Sequence, residues 1–363
     1  MINKKQLRRA TKNQKKERVL DKHVHAHYNY IQLTKPKKIT RGFYILNYNT
    51  TNSNCQAVIN ELNARKRIHG KIIDDLCDSF RTLNKATDEK EQRLRDCASI
   101  IQLNENGKII GANFCKNRYC PICQWRKSRK AFAISYNVQK TVEKTDSLQF
   151  LFLTLTLKNT KDLTAGIDHI LQSFKRLQDT KRFRKIVRGF IRTLEITYNN
   201  DSNEWHPHIH AIIAVDHNYF TDAELYTDFE EWRMLWQTVA HVDYLPQCNI
   251  KKISEKEREN AVAEISKYMV KPLDLELSKE TEHIYTSLLK STFGRRLTST
   301  GGVYRVATKT AQKDYDQQCD KEVIELMKNS SVLYTFKFSG YNYIKTEILR
   351  KENETDEKMF QKN

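Results

Sequence analysis

The chain has 363 residues, enough for a sizeable core and for two or three structural units. Lys and Arg outnumber Asp and Glu 63 to 44, giving a net charge of +19. The plain reading of that excess is a solubilising surface. The sharper one is a polyanion, nucleic acid foremost, because cations that neutralise phosphates release condensed counterions.

In chain order, the start MINKKQLRRA lacks the apolar stretch of a secretory signal. The longest apolar run, LQFLFLTLTL at 148–157, is too short to span a bilayer, so a soluble cytoplasmic protein with no membrane partner is expected. In that compartment the eight cysteines do not read as a disulfide framework. Residues 1–96 form a basic, mostly helical region. Residues 4–22 carry nine Lys/Arg, and a helical pattern covers CQAVINELNARKRIHGKIIDDLCDSF. Residues 97–130 are cysteine-rich, 131–275 hold the patterned core, and 276–363 form a C-terminal region of unassigned role.

The core pattern starts with a strand, QFLFLTLTLKN, then a helix, TKDLTAGIDHILQSFKRLQD, opened by a Thr/Asp turn. GFIRTLEITYN and PHIHAIIAV are strands around the turn NDSNE. A helix capped by Thr221, a short strand QCNIKKI and a helix EKERENAVAEISKYMVKPL stopped by Pro272 complete the series. The order β-α-β-β-α-β-α predicts an α+β fold: an antiparallel sheet with helices on one face.

Residues i and i+2 of a strand share a face. Leu151, Leu153, Leu155 and Leu157 then oppose Thr154 and Thr156. Leu194 and Ile196 oppose Thr193, Glu195 and Thr197, and Ile209, Ala211, Ile213 and Val215 oppose His208 and His210. The imidazoles therefore stand on the open face, away from the core. A turn centred near Asp201 and Ser202 sets Glu195 opposite His208. Two imidazoles and a carboxylate so placed suit a divalent cation with positions left for phosphate oxygens or water. Polar residues on an exposed strand are the plainer alternative, and Pro207 leaves the direction of His206 open. Non-haem iron oxygenases also use two His and a carboxylate, but on double-sheet barrels and with no role for basic charge.

In AEISKYMVK, Glu264, Tyr268 and Lys271 fall at i, i+4 and i+7, on one helical face. Taken alone, that face reads as a solvated stripe. Cys115, Cys120 and Cys123, with Cys97 eighteen residues before the first, supply four thiolates suited to a structural zinc; buried free thiols are the alternative. The following QWRKSRK offers Arg126, Lys127 and Arg129 to DNA, and KRFRKIVRGFIR offers Lys181, Arg182, Arg184 and Lys185.

FLTLTLKN (152–159), HPHIHAIIAV (206–215) and EISKYMVK (264–271) resemble the three ordered motifs of HUH endonucleases, in detail those of plasmid rolling-circle replication initiators. FCKNRYCPICQWRKS and LEITYN resemble further segments of that family, and the likeness spans roughly residues 97–305. The resemblance implies an HUH/RRM-like βαββαβ core, His208 and His210 as ligands of Mn2+ or Mg2+, Glu195 as a third ligand, and Tyr268 as the nucleophile. It further implies a 5′-phosphotyrosine link and Glu264 as general base for a second cut, for which Tyr244 or Tyr285 is the alternative. Plasmid origin DNA, host helicase and the replication machinery are the implied partners, and a homodimer is left open. Other HUH enzymes are alternatives. Relaxases, however, usually carry the tyrosine upstream of the histidines, and transposases of this kind are usually shorter. A non-enzymatic DNA-binding regulator leaves the Glu/His/His and Glu/Tyr patterns without purpose.

Overall fold

The computed structural model describes residues 43–45, 53–145, 148–268, 281–329 and 332–351. The elements in chain order are β1 (Phe43–Ile45), α1 (Ser53–Thr82), α2 (Asp88–Arg95), β2 (Ile100–Asn104), β3 (Ile109–Ala112), α3 (Pro121–Thr145) and β4 (Leu148–Thr156). Then follow α4 (Leu163–Asp179), α5 (Lys181–Ile186), β5 (Val187–Asn199), β6 (Glu204–Asp216), α6 (Phe229–Ala240) and β7 (Cys248–Lys252). A single 3-10 turn precedes α7 (Arg258–Tyr268), and α8 (Thr281–Thr292), β8 (Thr298–Gly302), α9 (Val303–Asn329), β9 (Val332–Phe338) and β10 (Tyr343–Lys351) complete the chain. The fold is mixed α/β, built on two antiparallel sheets ordered β1-β10-β9-β2-β3 and β7-β4-β6-β5-β8.

The second sheet contains the expected β-α-β-β-α-β-α series, with β8 added beside β5. Asp162 caps α4 by accepting from the backbone N–H groups of Thr164 and Ala165, as the Thr/Asp turn predicts. α6 starts later than Thr221 suggests. Asp228 and Glu231 form a capping box there, while residues 221–228 are held as a loop by Arg182, which donates to the carbonyls of Glu224 and Tyr226. Pro272 lies outside the described residues.

Helices α4 and α6 cover one face of this sheet. Leu151, Leu153, Leu155, Ile209, Ala211 and Ile213 pack there against Ile167, Phe174, Trp232 and Trp236. The opposite face, expected to stand open, is covered over part of its length. Phe150, Ile191, Ile212 and Ala214 make that stretch apolar, and α3, α7 and α9 bury it with Val138, Val142, Val262, Ile265 and Tyr304. Helices therefore lie on both faces, and the polar side chains of this face begin where the helical cover ends.

The first sheet was not anticipated. Its strands come from residues 43–45, 100–112 and 332–351, and α1 packs on it through Cys55, Ile59 and Leu62. Farther along, α1 packs through Ile72, Leu76 and Phe80 against Tyr285 and Leu289 of α8. Among the described residues no helix is long and apolar enough to cross a membrane.

Candidate metal centre and cysteine cluster

The hairpin of β5 and β6 has the register that alternation predicts. Glu195 pairs with His208, Thr193 with His210, and Asn199 with Glu204, which leaves residues 200–203 as the turn. On the other side of β6, β4 sets Thr154 beside His210 and Thr156 beside His208. Two strands, β5 and β6, thus deliver one carboxylate and two imidazoles to one spot, with Thr154 and Thr156 of β4 beside them. Glu195 and His210 are only 6% and 7% exposed.

His208 Nε2 lies 2.5 Å and His210 Nε2 3.0 Å from the same oxygen, Glu195 Oε2. The other nitrogen of each ring is also engaged. His208 Nδ1 is 3.1 Å from the His206 carbonyl, and His210 Nδ1 is 3.2 Å from Thr154 Oγ1. The His206 carbonyl only accepts, so His208 Nδ1–H donates to it. In a neutral ring that leaves the bare Nε2 lone pair facing a carboxylate oxygen. A proton on Nε2, which makes the contact an ion pair, or a metal ion held between the two satisfies such a pair. The three donor atoms lie within 4.8 Å of one another, which is compatible with a single metal ion. The His206 carbonyl fixes the tautomer of His208, and the two Nδ1 contacts together fix the direction of both rings, as outer hydrogen bonds do around metals. Thr154 is the member of this set not singled out from sequence, although its place on the polar face was legible. His206 is half-buried beside His208, and burial lowers its basicity first, with the neighbouring imidazole second.

Among the described residues a second group of ligating type is Cys97, Cys115, Cys120 and Cys123. The sulfurs of Cys97 and Cys123, of Cys115 and Cys123, and of Cys120 and Cys97 are 3.6, 3.6 and 3.5 Å apart. These distances are far beyond a disulfide bond and close to the edge of about 3.8 Å expected for four thiolates at 2.3 Å from one zinc. Backbone N–H groups of Cys115, Lys116 and Asn117 donate to sulfurs of the cluster, which stabilises thiolate. Hydrogen bonds from the neighbouring thiols hold Cys123 below the usual thiol range. Lys66, which is buried, donates to the Cys97 carbonyl at 2.7 Å and brings a positive charge to the cluster. No sequence pattern marks it, since it comes from α1.

Cys120 and Cys123 flank the start of α3, whose 25 residues reach to α7. There Glu143 pairs with Arg258 at 3.7 Å and Tyr136 donates to Glu259 at 3.2 Å. The Tyr304 hydroxyl of α9 donates to Gln139 at 2.6 Å. Arg118, between the cysteines, donates to the Thr292 and Arg295 carbonyls at the end of α8. The cysteine segment is therefore tied to the Glu264–Tyr268 helix itself and to α8 and α9, which follow it in the chain.

Glu264 lies in α7, and Tyr268 is its last residue; Lys271 lies outside the described residues. Tyr244 accepts a backbone hydrogen bond from Lys158, and burial pushes the Tyr285 hydroxyl up to about 12. The basic residues divide. Arg126 is 5% exposed with its guanidinium 4.5 Å from the Phe114 ring, so packing removes it from reach of DNA. Arg182 is spent on the 221–228 loop, Arg184 pairs with Asp179, and Lys185 pairs with Glu224. Lys127 and Lys181 are exposed, and Arg129 lies over Trp125.

A family model described as "Replication protein" matches residues 106–344. "Protein rep" of Streptococcus pneumoniae serotype 2 (strain D39 / NCTC 7466) is 31% identical over 282 residues, 75% of this chain and 84% of that protein. "Protein rep" of Staphylococcus aureus is 36% identical over 178 residues, 48% of this chain and 77% of the relative. "Protein rep" of Bacillus amyloliquefaciens is 32% identical over 247 residues, 60% and 71% of the two chains. No solved structure matches the chain. With two thirds of its length inside the family model and the motif order of its sequence, the chain belongs to the replication-protein family of plasmid rolling-circle replication initiators.

Proposed function

We propose that this initiator nicks one strand of its plasmid origin and carries the cut end on Tyr268. The convergence of Glu195, His208 and His210 on one carboxylate oxygen is the observation that carries the reading. The second sheet is then the HUH/RRM-like core of residues 131–275, operating on single-stranded DNA in the cytoplasm. Glu195, His208 and His210 would hold Mn2+ or Mg2+, which when bound would supply charge to polarise the scissile phosphate. The Tyr268 hydroxyl oxygen attacks phosphorus and gives up its proton. The bond from phosphorus to the 3′ oxygen breaks, and that oxygen leaves as a 3′-hydroxyl primer after taking a proton. Phosphoester replaces phosphoester, so later strand transfer needs no nucleotide cofactor. Lys271 is assigned the developing charge, and Glu264, one turn from Tyr268, the activation of water for the terminating cut. The four cysteines are assigned a structural zinc.

Two measurements test this reading. Cleavage of a single-stranded origin oligonucleotide is expected to stop in His208→Ala and in EDTA, with DNA affinity largely kept; full-rate cleavage in EDTA would contradict the metal assignment. DNA affinity is expected to fall steeply with salt, since about four neutralised phosphates cost about a hundredfold between roughly 50 and 200 mM. Lys127→Ala and Lys181→Ala, one exposed lysine from each of the two basic stretches, are expected to flatten that slope. A slope equal to wild type in both would remove these stretches from the DNA interface.

A further inference from the structure

The helices over the face that carries Glu195, His208 and His210 stop short of one end of the sheet. They cover the end defined by Phe150, Ile191, Ile212 and Ala214, and from His210 onward the strands carry polar side chains. On this uncovered part β4 lies between β6 and β7, so Thr154 has His210 on one side and Asn249 on the other. Asn249 is exposed. β7 begins at Cys248, opposite Leu155, and beyond that point the loop after α6 takes its place along the edge. There the Thr156 backbone N–H and hydroxyl both donate to the Gln247 carbonyl, at 3.0 and 3.2 Å.

Lys158 falls between two fixed points. Thr156 pairs with His208, and Thr160 exchanges backbone hydrogen bonds with Trp205, so Lys158 runs alongside His206 and Pro207. It is exposed, and it meets Tyr244 twice: its backbone N–H donates to the phenolic oxygen at 2.9 Å, and its ammonium lies 4.1 Å from the ring centroid. The ring is thus pinned at its hydroxyl end and has a cation on one face. Leu245 beside it is 55% exposed, an apolar side chain left in water next to a polar site.

We propose that Asn249, Lys158 and Tyr244 form a lane for single-stranded DNA running from the Glu195/His208/His210 centre to the β7 edge, with the Tyr244 ring as the stacking platform for one unpaired base. The inference rests on the proposed nicking reaction for its substrate class. Single-strand sites combine a cation that follows the backbone with an aromatic ring on which a base stacks whatever its identity. Lys158 supplies the phosphate contact, Tyr244 and Leu245 the apolar surface, and Asn249 an amide that hydrogen-bonds a base edge. Because the phenolic oxygen already accepts the Lys158 N–H, the ring is what Tyr244 presents to a ligand.

The test uses the full-length chain in a Tyr268→Phe background, so that no cleavage consumes the probe. The probes are single-stranded oligonucleotides of the replicon's own origin, each with 2-aminopurine at one position flanking the nick site. One position is expected to lose fluorescence on binding through stacking. Tyr244→Ala is expected to abolish that quench and to weaken binding about five- to a hundredfold, the range for one base–aromatic stack. Tyr244→Phe is expected to keep the quench, and Lys158→Ala to reduce the salt slope by about one phosphate. Mn2+ binding unchanged in Tyr244→Ala would show that the sheet is intact. A quench and affinity equal to the parent in Tyr244→Ala would overturn the lane. An absent covalent adduct in otherwise wild-type protein with the Tyr244-dependent quench intact would instead contradict the tyrosine assignment alone.

Discussion

Tyr268→Phe is expected to lose the covalent protein–DNA adduct altogether, and with it initiation, while binding metal and single-stranded DNA as the parent does. The substitution removes one oxygen, the atom assigned to attack phosphorus, and no other group of α7 can form the same ester. Glu264→Ala separates the two cuts of a replication cycle. One tyrosine used in the first cut is not free for the second, so termination needs another nucleophile, and Glu264 stands four residues before Tyr268 in the same helix. Glu264→Ala is therefore expected to nick and form adduct at nearly the parental rate, yet to accumulate concatemers from a plasmid carrying two origins. Unit-length circles in normal yield would remove Glu264 from termination. Tyr244 and Tyr285 are the weaker substitutes, the first engaged with Lys158 and the second buried under α1.

The second large effect is expected at the cysteines. Structural zinc contributes about 10–16 kcal/mol of apparent binding energy in small zinc peptides, as much as the whole stability of a typical domain. Cys120→Ser combined with Cys123→Ser removes two ligands at the start of α3 and leaves the buried Lys66 beside fewer negative charges. The doubly substituted protein is expected to lose about one zinc per chain, by ligand count, on metal analysis. Faster proteolysis of α1 and α3 is expected to accompany that loss. Since α3 carries Glu143 and Tyr136 to the tyrosine helix, adduct formation is also expected to fall even where Mn2+ still binds at Glu195. Zinc retained at the parental level would exclude the four-cysteine assignment.

Local signals made the Glu195/His208/His210 cluster legible. Strict alternation put Glu195, His208 and His210 on one face, and the turn residues 200–203 fixed the register that sets Glu195 against His208. The cysteine group was legible from spacing for the same reason: three of its members lie within nine residues, 115–123. What the sequence hid depends on contacts between distant segments. The first sheet pairs Ile100–Asn104 with Val332–Phe338, and nothing near either strand names the other. The cover over the metal face was hidden too. Phe150, Ile191 and Ile212 alternate with the core-facing residues, and their apolar character marks a buried patch only once α3, α7 and α9 are in place. Among the basic residues, charge alone did not separate Arg126, which packs on Phe114, from Lys127, which reaches solvent. Exposure and ion pairing decide that, and neither is written in the local sequence.

The direct test of the metal centre is Mn2+ titration followed by the electron paramagnetic resonance signal of the free ion, with the cysteine site already loaded with zinc. One tight Mn2+ site per chain is predicted, lost in Glu195→Ala and in His208→Ala and kept in Tyr268→Phe. Equal Mn2+ binding in all four proteins would contradict the assignment of Glu195, His208 and His210 as the catalytic metal centre.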